Sequence, residues 1–382
     1  MDTWNQIQYW KKERRLILET FKTFLAEEEK PYKVVCFYQS DKSRDVVEKE
    51  HIDMMKNFAK AGVDFEYFDY TGSFITEKGS KTFLNGFPID EKTKEYIQAD
   101  KDGKTVYRKP YEINQENTLI LYRDLPSGGN NFRRNWSDMI ESLDRKGFFL
   151  LNPFDCYKLC SSKYLTDVVL RKNNILTPKT TRITHSEDAE RAFKELNTKF
   201  PVILKASVGT QTGIGVVLID NLRTLHTTVQ MMMLFDKTIP LLVQEYIPID
   251  YDIRVMVLGN EVIASMRRNV MKNNDFRSNV SIGAAAERIE LTDLEKDVAI
   301  KSSKAVNGIL TGVDLLPSKN REKDSPLFIE VNSTPGLMGI ESTFADSQID
   351  SKLYKKALKR EKGKFSITTE ILKTYMNREN WR

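Results

Sequence analysis

The chain has 382 residues, 40% hydrophobic and 30% charged, a globular balance with room for two or three domains. No run approaches the roughly 18 apolar residues of a membrane span, and Met1-Asp2-Thr3-Trp4-Asn5 lacks the basic-then-apolar opening of a secretory signal. A formal charge of +5, from 59 basic against 54 acidic residues, is too mild to argue for nucleic acid and suits an anionic small ligand or acidic substrate.

Residues 1–30 place Ile7, Trp10, Leu16, Ile17, Phe21 and Phe24 at helical intervals, which predicts an amphipathic helix or helix pair. A strand over Tyr32–Tyr38, a helix around Arg44–Ala61 and an aromatic strand over Asp64–Tyr70 follow in β-α-β order, the pattern of a small α/β domain. Residues 71–117, polar and broken by Gly72, Gly79, Gly86, Pro88 and Gly103, read as hairpins or an insertion. Thr118–Arg123 is the next strand. Ser127-Gly128-Gly129-Asn130-Asn131 lacks any nucleotide-loop spacing and reads as a turn. Trp136–Lys146 is expected to be helical, Phe148–Leu151 extended, and Cys160–Lys172 a helix carrying Lys163.

Pro178 opens a new module. Pro178–Thr184 is extended, and Ser186 is the expected N-cap of a helix over 187–197. Pro201–Lys205 is a strand ending in a lysine, followed by the glycine loop Gly209-Thr210-Gln211-Thr212-Gly213-Ile214-Gly215 and a second strand, Val216–Ile219. This strand–loop–strand order differs from a P-loop, which leads into a helix. Residues without bulk can instead close over phosphates as a flap. Leu241–Ile247 is a strand closed by Pro248, and Tyr251–Leu258 with Glu261–Arg268 forms a hairpin through Gly259-Asn260. Thr292 and Glu295 form a capping box at the start of a helix. Gly312–Leu316 and Pro326–Asn332 are strands, joined by a polar loop over 317–325. Beyond Asp350 a basic tail reads as a peripheral helix.

The strands determine where the chemistry can lie. Glu330 and Asn332 are two residues apart, so both point to one face, while Ile329 and Val331 are expected to point into the core. Two oxygen donors side by side at a strand end, followed by Pro335-Gly336, suit a Mg²⁺–phosphate site, because Mg²⁺ takes one or two carboxylates plus substrate phosphates. Alone, the pair fits an edge strand with its polar residues outward equally well. Lys205, Glu245, Asp252, Arg254, Arg267, Arg268, Arg277, Asn279 and Asp314 end or line the other strands of the same region. Charged residues are disfavoured in strand interiors unless a ligand or partner pairs them. Three cysteines (Cys36, Cys156, Cys160) offer no disulfide framework. Three histidines (His51, His185, His226) stand at no ligand spacing, which argues against a zinc site or a histidine base.

From about Asn152 to Ile349 this ordered series resembles the ATP-grasp superfamily, specifically the RimK-like ribosomal protein S6–glutamate ligase group. It runs through Val202–Lys205, Gly209–Gly215, Val243–Ile247, Asp252-Ile253-Arg254, Arg267-Arg268, Asp275–Asn279, Gly312-Val313-Asp314 and Glu330-Val331-Asn332 with Pro335-Gly336-Leu337. The resemblance implies an α/β and α+β architecture: an N-terminal α/β domain over 1–150, a central lobe with the glycine flap over 151–240, a C-terminal lobe with the metal site over 241–350, and a basic helical tail over 351–382. It implies that Lys163 and Lys205 contact the nucleotide and that Gly209, Thr212, Gly213 and Gly215 belong to the phosphate flap. Gln244, Glu245, Tyr246 and Ile247 would line the adenine hinge, and Asp252 would stand at the ribose. Asp314, Glu330 and Asn332 would hold two Mg²⁺ ions, with Mn²⁺ as a substitute. Arg267 and Asn279 would face the transferred phosphate and acceptor, with Arg254 and Arg268 as neighbours.

The implied activity is ATP-dependent carboxylate–amine ligation through an acylphosphate, adding glutamate or another amino acid to a peptide, protein or small-molecule carboxylate. Formation of an ester crosslink, a dipeptide or a carrier-linked amide on the same fold, or a non-catalytic nucleotide-binding module, stays open. A cytoplasmic enzyme without membrane or nucleic-acid partners is expected, and the resemblance leaves a homo-oligomer open. Two departures stand out: Ser281-Ile282 occupy places where the family has a basic residue and paired glycines, and the segment 71–117 is unmatched, so it is expected to read a particular substrate.

Overall fold

The computed structural model describes residues 33–38, 63–70, 72–88, 99–123, 130–207, 215–270, 286–337 and 340, the side chains of 130–134 excepted. The expected leading helix, the helix around 44–61, Gly209, Thr212, Gly213, Arg277, Asn279, the Ser281-Ile282 step and the tail lie outside these residues. The described chain falls into two compact units, the first ending at Phe149 and the second beginning at Leu150. No described helix is long and apolar enough to cross a membrane.

In the first unit the strands in chain order are β1 (Lys33–Tyr38), β2 (Asp64–Asp69), β3 (Phe74–Lys78), β4 (Lys81–Asn85), β5 (Tyr111–Ile113), β6 (Thr118–Tyr122) and β7 (Phe149–Leu151), with helix α1 (Asn130–Arg145) between the last two. One sheet has the order β2-β1-β6-β7. Both β2 and β6 run parallel to β1. The continuous apolar runs of β1 and β6 are buried almost throughout, as parallel strands covered on both faces require. The segment 71–117 forms a separate antiparallel sheet, β3-β4-β5. Gly79 turns the β3–β4 hairpin at φ 61°, a left-handed conformation that glycine adopts without strain.

The second unit contains α2 (Phe154–Cys160), α3 (Lys163–Lys172), β8 (Thr180–Ile183), α4 (Ala189–Leu196), β9 (Val202–Ala206), β10 (Val216–Ile219), α5 (Leu222–Phe235), β11 (Leu241–Glu245), β12 (Tyr251–Leu258), β13 (Glu261–Asn269), β14 (Ala286–Arg288), α6 (Asp293–Ala305), β15 (Leu310–Leu316) and β16 (Leu327–Asn332). They build two sheets, β10-β9-β11-β8 and β14-β13-β12-β15-β16. In the first, alternate residues Val202, Leu204, Ala206, Leu241 and Val243 pack against Ala189, Ala192 and Leu196 of α4 and Leu225 and Val229 of α5. In the second, Ile253, Val255, Val257, Val313, Leu315, Phe328 and Val331 pack against Val298 and Ala299 of α6 and Leu170 of α3. With a side-chain period of two, the intervening residues of both sheets share the opposite faces.

Several local expectations change. The helix expected over Cys160–Lys172 begins instead at Lys163, after a separate helix over Phe154–Cys160, so Lys163 is the first residue of α3, whose N-cap Ser162 accepts from Leu165 N–H at 3.3 Å. Ser186 does not cap a helix. It begins a short 3₁₀ turn, its hydroxyl bonds the adjacent Glu187, and the α-helix starts at Ala189. The core-facing pair on β16 is Phe328 and Val331, because a bulge shifts the register so that Leu315 opposes Phe328 while Asp314 opposes Glu330. Ile329 is the extra residue, and an inserted residue breaks simple alternation. The capping box at Thr292 and Glu295 forms as expected, and buried Glu295 also accepts two bonds from Arg321 at 2.7 Å.

Candidate active site

The face of the five-stranded sheet turned away from α6 carries the charges. On β12 and β13, Asp252 stands opposite Arg268, and Arg254 stands opposite Asp314 of β15. Asp314 in turn opposes Glu330 of β16, and Gly312 opposes Asn332. A side chain is not tolerated at Gly312: a Cβ there would lie 2.9 Å from Pro335 Cβ, so the turn after β16 closes directly onto β15.

The buried ions satisfy one another. Arg254 makes a two-pronged contact with Asp314, Nε to Oδ1 and Nη2 to Oδ2, both at 2.7 Å. Arg268 makes the same fork onto Asp252, both bonds at 2.6 Å, and also reaches Asp314 Oδ2 at 3.0 Å. Burial pushes the Asp314 carboxyl up, but Arg254 and Arg268 together outweigh it and hold it below its ordinary range. Burial opposes the Arg268 charge in the same way, and Asp314 and Asp252 more than restore it.

The four-stranded sheet contributes Lys205 on the face away from α4 and α5. Its ammonium is buried and donates to Gln244 Oε1 at 2.8 Å, and Gln244 Nε2 donates to Thr180 Oγ1 at 2.8 Å. Burial lowers the Lys205 pKa to about 8, against the pull of Glu330. Helix α3 joins the two sheets. Its first N–H, from Lys163, donates to Ser207 O just beyond β9 at 3.0 Å, and the Lys163 ammonium pairs with Glu330 on β16 at 3.1 Å. One helix turn on, buried Asp167 adds a carboxylate that favours the Lys205 charge.

The placement of the expected residues is uneven. Lys163, Lys205, Gln244, Arg254, Arg268, Asp252, Asp314, Glu330 and Asn332 come together on these faces and on α3. Glu245, Tyr246 and Ile247 are half-buried on the connection leaving β11, with Glu245 N–H bonded to Lys179 O at 2.9 Å. Gly215, at φ 77°, accepts from Ala206 N–H at the far end of the flap. Arg267 does not join them. It lies opposite Ile253, on the core side of the sheet, bonds Glu287 and covers the Tyr251 ring at 5.5 Å. A period of two permits only one of two consecutive arginines on a given face, and that one is Arg268. Asp252, expected beside a ribose, has both oxygens committed to Arg268. Asp167 and Thr180 were legible in principle, the first at helical spacing i+4 from Lys163 and the second opposite Gln244.

Asp314, Glu330 and Asn332 bring together the donor types that Mg²⁺ takes, two carboxylates and an amide, with Asp314 held by Arg254 and Arg268 and Glu330 by Lys163. Among the described residues no group of three or more histidine, cysteine or carboxylate side chains could hold a metal. Oxygen donors of that kind and number match a cation that completes its shell with phosphates and water.

Residues 160–356 match the family model of the RimK-like ATP-grasp domain. The chain belongs to the RimK-like ATP-grasp family. A probable alpha-L-glutamate ligase of Histophilus somni (strain 129Pt) is 31% identical over 239 residues, covering 61% of this chain and 77% of that protein. Among solved structures, the ATP-grasp ligase PsnB complexed with minimal precursor, Mg and ADP superposes with a TM-score of 0.55 at 16% identity, covering 86% of this chain and 98% of that one. The D-alanine–D-alanine ligase from Bacillus anthracis gives 0.51 at 17% identity over 80% and 88%. At such identities the structural likeness is one of fold, and the fold is ATP-grasp. This RimK-like protein is an ATP-dependent carboxylate–amine ligase that forms carbon–nitrogen bonds. Enzymes of the family use ATP with Mg²⁺.

Proposed function

We propose that this enzyme adds glutamate to the carboxylate of a peptide or protein, with ATP and two Mg²⁺ ions held between Lys163, Lys205 and the Asp314–Glu330–Asn332 shelf. The observation that carries the reading is the cross-strand pair Asp314 and Glu330, with Asn332 beside it and the Lys163 ammonium 3.1 Å from Glu330. It sets oxygen donors for a cation directly against a cation for phosphate. Kinship with a probable glutamate ligase supports glutamate as the amine, and the structure of the ATP-grasp ligase PsnB with a precursor peptide supports a peptide carboxylate.

Bound Mg²⁺ would neutralise the phosphate oxygens of ATP. The rest follows from the chain's own side chains. Phosphoryl transfer needs charge neutralisation and alignment more than covalent help, and Lys163 and Lys205 supply fixed positive charge without a solvent shell. The substrate carboxylate attacks the γ-phosphorus, displacing ADP and forming an acylphosphate. The glutamate amine then adds to the acyl carbon, and the tetrahedral intermediate expels phosphate as the amine loses its proton. Arg268 and Arg254, rather than Arg267, share the face on which that oxyanion would develop. Thiols take no part: Cys160 is held protonated by its hydrogen bond with Cys156 and by burial.

The test is a screen of amino acids with acidic peptides for Mg²⁺-dependent ADP release, followed by the mass of the product. A gain of one glutamyl residue is expected. Glu330→Ala should abolish acceptor-dependent ADP release while melting cooperatively, and unchanged turnover would remove the metal assignment.

A further inference from the structure

Asn152 lies between β7 and α2, is fully buried, and belongs to no motif in the sequence. Its side-chain amide uses all of its hydrogen-bonding capacity. Nδ2 donates to Leu310 O at 2.6 Å and to Ser333 O at 2.5 Å. Oδ1 accepts from Ile309 N–H at 2.6 Å and from Leu310 N–H at 2.7 Å. A primary amide has two donor hydrogens and two acceptor lone pairs, so none is left over.

Leu310 opens β15, the strand that carries Asp314. Ser333 directly follows Asn332. The last rung of the β15–β16 ladder is Gly312 opposite Asn332, and beyond it the chain turns away through Pro335. At that point β16 has no further rung to fix it, while β15 stays paired with β12 through Thr311 and Leu310, and the Asn152 amide supplies a link between the two from outside the sheet. Asn152 also precedes Pro153 and α2, the segment that leads into α3 and Lys163. One side chain therefore ties the start of the Asp314 strand and the exit of the Asn332 strand to the element that delivers the nucleotide lysine.

We infer that Asn152 is a positioning residue for the metal shelf, fixing the Asn332 amide relative to Asp314 and Glu330. It touches no substrate and acts through the two strand ends. The inference rests on the proposed metal role of the shelf. Residues that orient the ligands of a metal typically change its affinity by about 10–100-fold when lost, and an effect of about tenfold is expected here.

The experiment measures binding of a non-hydrolysable ATP analogue to the full chain by calorimetry as Mg²⁺ is varied, with thermal melts in parallel. Asn152→Ala should raise the Mg²⁺ concentration needed for half-maximal binding about tenfold. Val298→Ala, which opens a cavity on the opposite face of the same sheet, should lower the melting temperature and leave that concentration within about twofold. An Asn152→Ala midpoint that moves no further than that of Val298→Ala overturns the inference. Should the alanine chain not fold, Asn152→Ser is measured in its place, and failure of both to fold assigns Asn152 to folding alone and overturns the inference equally. Glu330→Ala separates the two layers. If it leaves the Mg²⁺ midpoint unchanged, the metal reading itself fails; if it shifts the midpoint and Asn152→Ala does not, only the positioning role fails.

Discussion

Replacing Lys205 with methionine should make this protein more stable and a poorer nucleotide binder. Burial holds the Lys205 ammonium at a pKa of about 8 rather than the ordinary 10.5, which corresponds to about 3 kcal/mol opposing the folded state at neutral pH. Methionine fills a similar volume without the charge. It leaves Gln244 Oε1 without its 2.8 Å donor, a loss of about 1–2 kcal/mol, while the bond from Gln244 to Thr180 persists. The difference is a gain of about 1–2 kcal/mol, or about 2–6 °C in melting temperature for a unit of this size. The advantage is pH-dependent. Between about 8 and 10.5 the unfolded chain keeps the lysine proton while the folded chain has released it, so rising pH favours the folded wild type and leaves the variant unaffected at this position. Parallel thermal melts of both proteins from neutral to alkaline pH, with nucleotide titrations at neutral pH, read each part. A variant that melts below the wild type at neutral pH, or a gap that stays constant through the alkaline range, refutes the reasoning.

Arg268→Met leaves Asp252 without its fork and weakens the hold on Asp314, so urea unfolding should show a loss of about 3–5 kcal/mol. Arg267→Ala breaks a half-exposed pair with Glu287 and uncovers the Tyr251 ring, and should change stability by about 1 kcal/mol or less in the same assay, with ADP release retained. Glu295→Ala removes the reciprocal cap of α6 and the bonds from Arg321, and should cost about 2–3 kcal/mol by the same measure without altering the Mg²⁺ requirement.

How much was visible beforehand depended on the distance over which each signal acts. Strands announced themselves through alternation and bounding turns, so β1, β2, β6, β9, β11, β12, β13, β15 and β16 all lie close to the apolar runs that predict them. The same period of two put Glu330 and Asn332 on one face. The α6 capping box is local and was equally legible. Helix α5 was not, because Met231, Met232, Met233, Leu234 and Phe235 make its last turns apolar on every side and erase the helical period, with Leu234 and Phe235 left largely exposed. Choosing between Arg267 and Arg268 needed the register of β12 against β13. The core residues of β16 needed a bulge between β15 and β16, and that comes from a partner strand more than ten residues away. Asn152 is the extreme case. Its four bonds reach Ile309, Leu310 and Ser333, more than 150 residues on, so nothing in its neighbourhood marks it.

The distribution of charge in the second unit explains why such long-range fixing is needed. Each sheet has one face of apolar residues packed on helices and one face bearing ions, and the ionic faces hold four cations (Lys163, Lys205, Arg254 and Arg268) against Asp252, Asp314 and Glu330. Buried pairs of this kind add little to stability compared with apolar residues of the same size, and Lys205 subtracts from it. Under the proposed function their value lies in what they do for an anion. A guanidinium or ammonium already stripped of water and aimed by a carboxylate needs no reorganisation when phosphate arrives, which is the condition under which electrostatic stabilisation of a transition state is largest. The same logic makes displacement expensive: a shift of the strand ends that unseats Asp314 strands Arg254 and removes the second partner of Arg268. Under the proposed function the apolar faces set the fold, the ionic faces the chemistry, and the inferred role of Asn152, with the bonds from α3 to β9 and β16, is to keep the second in register with the first.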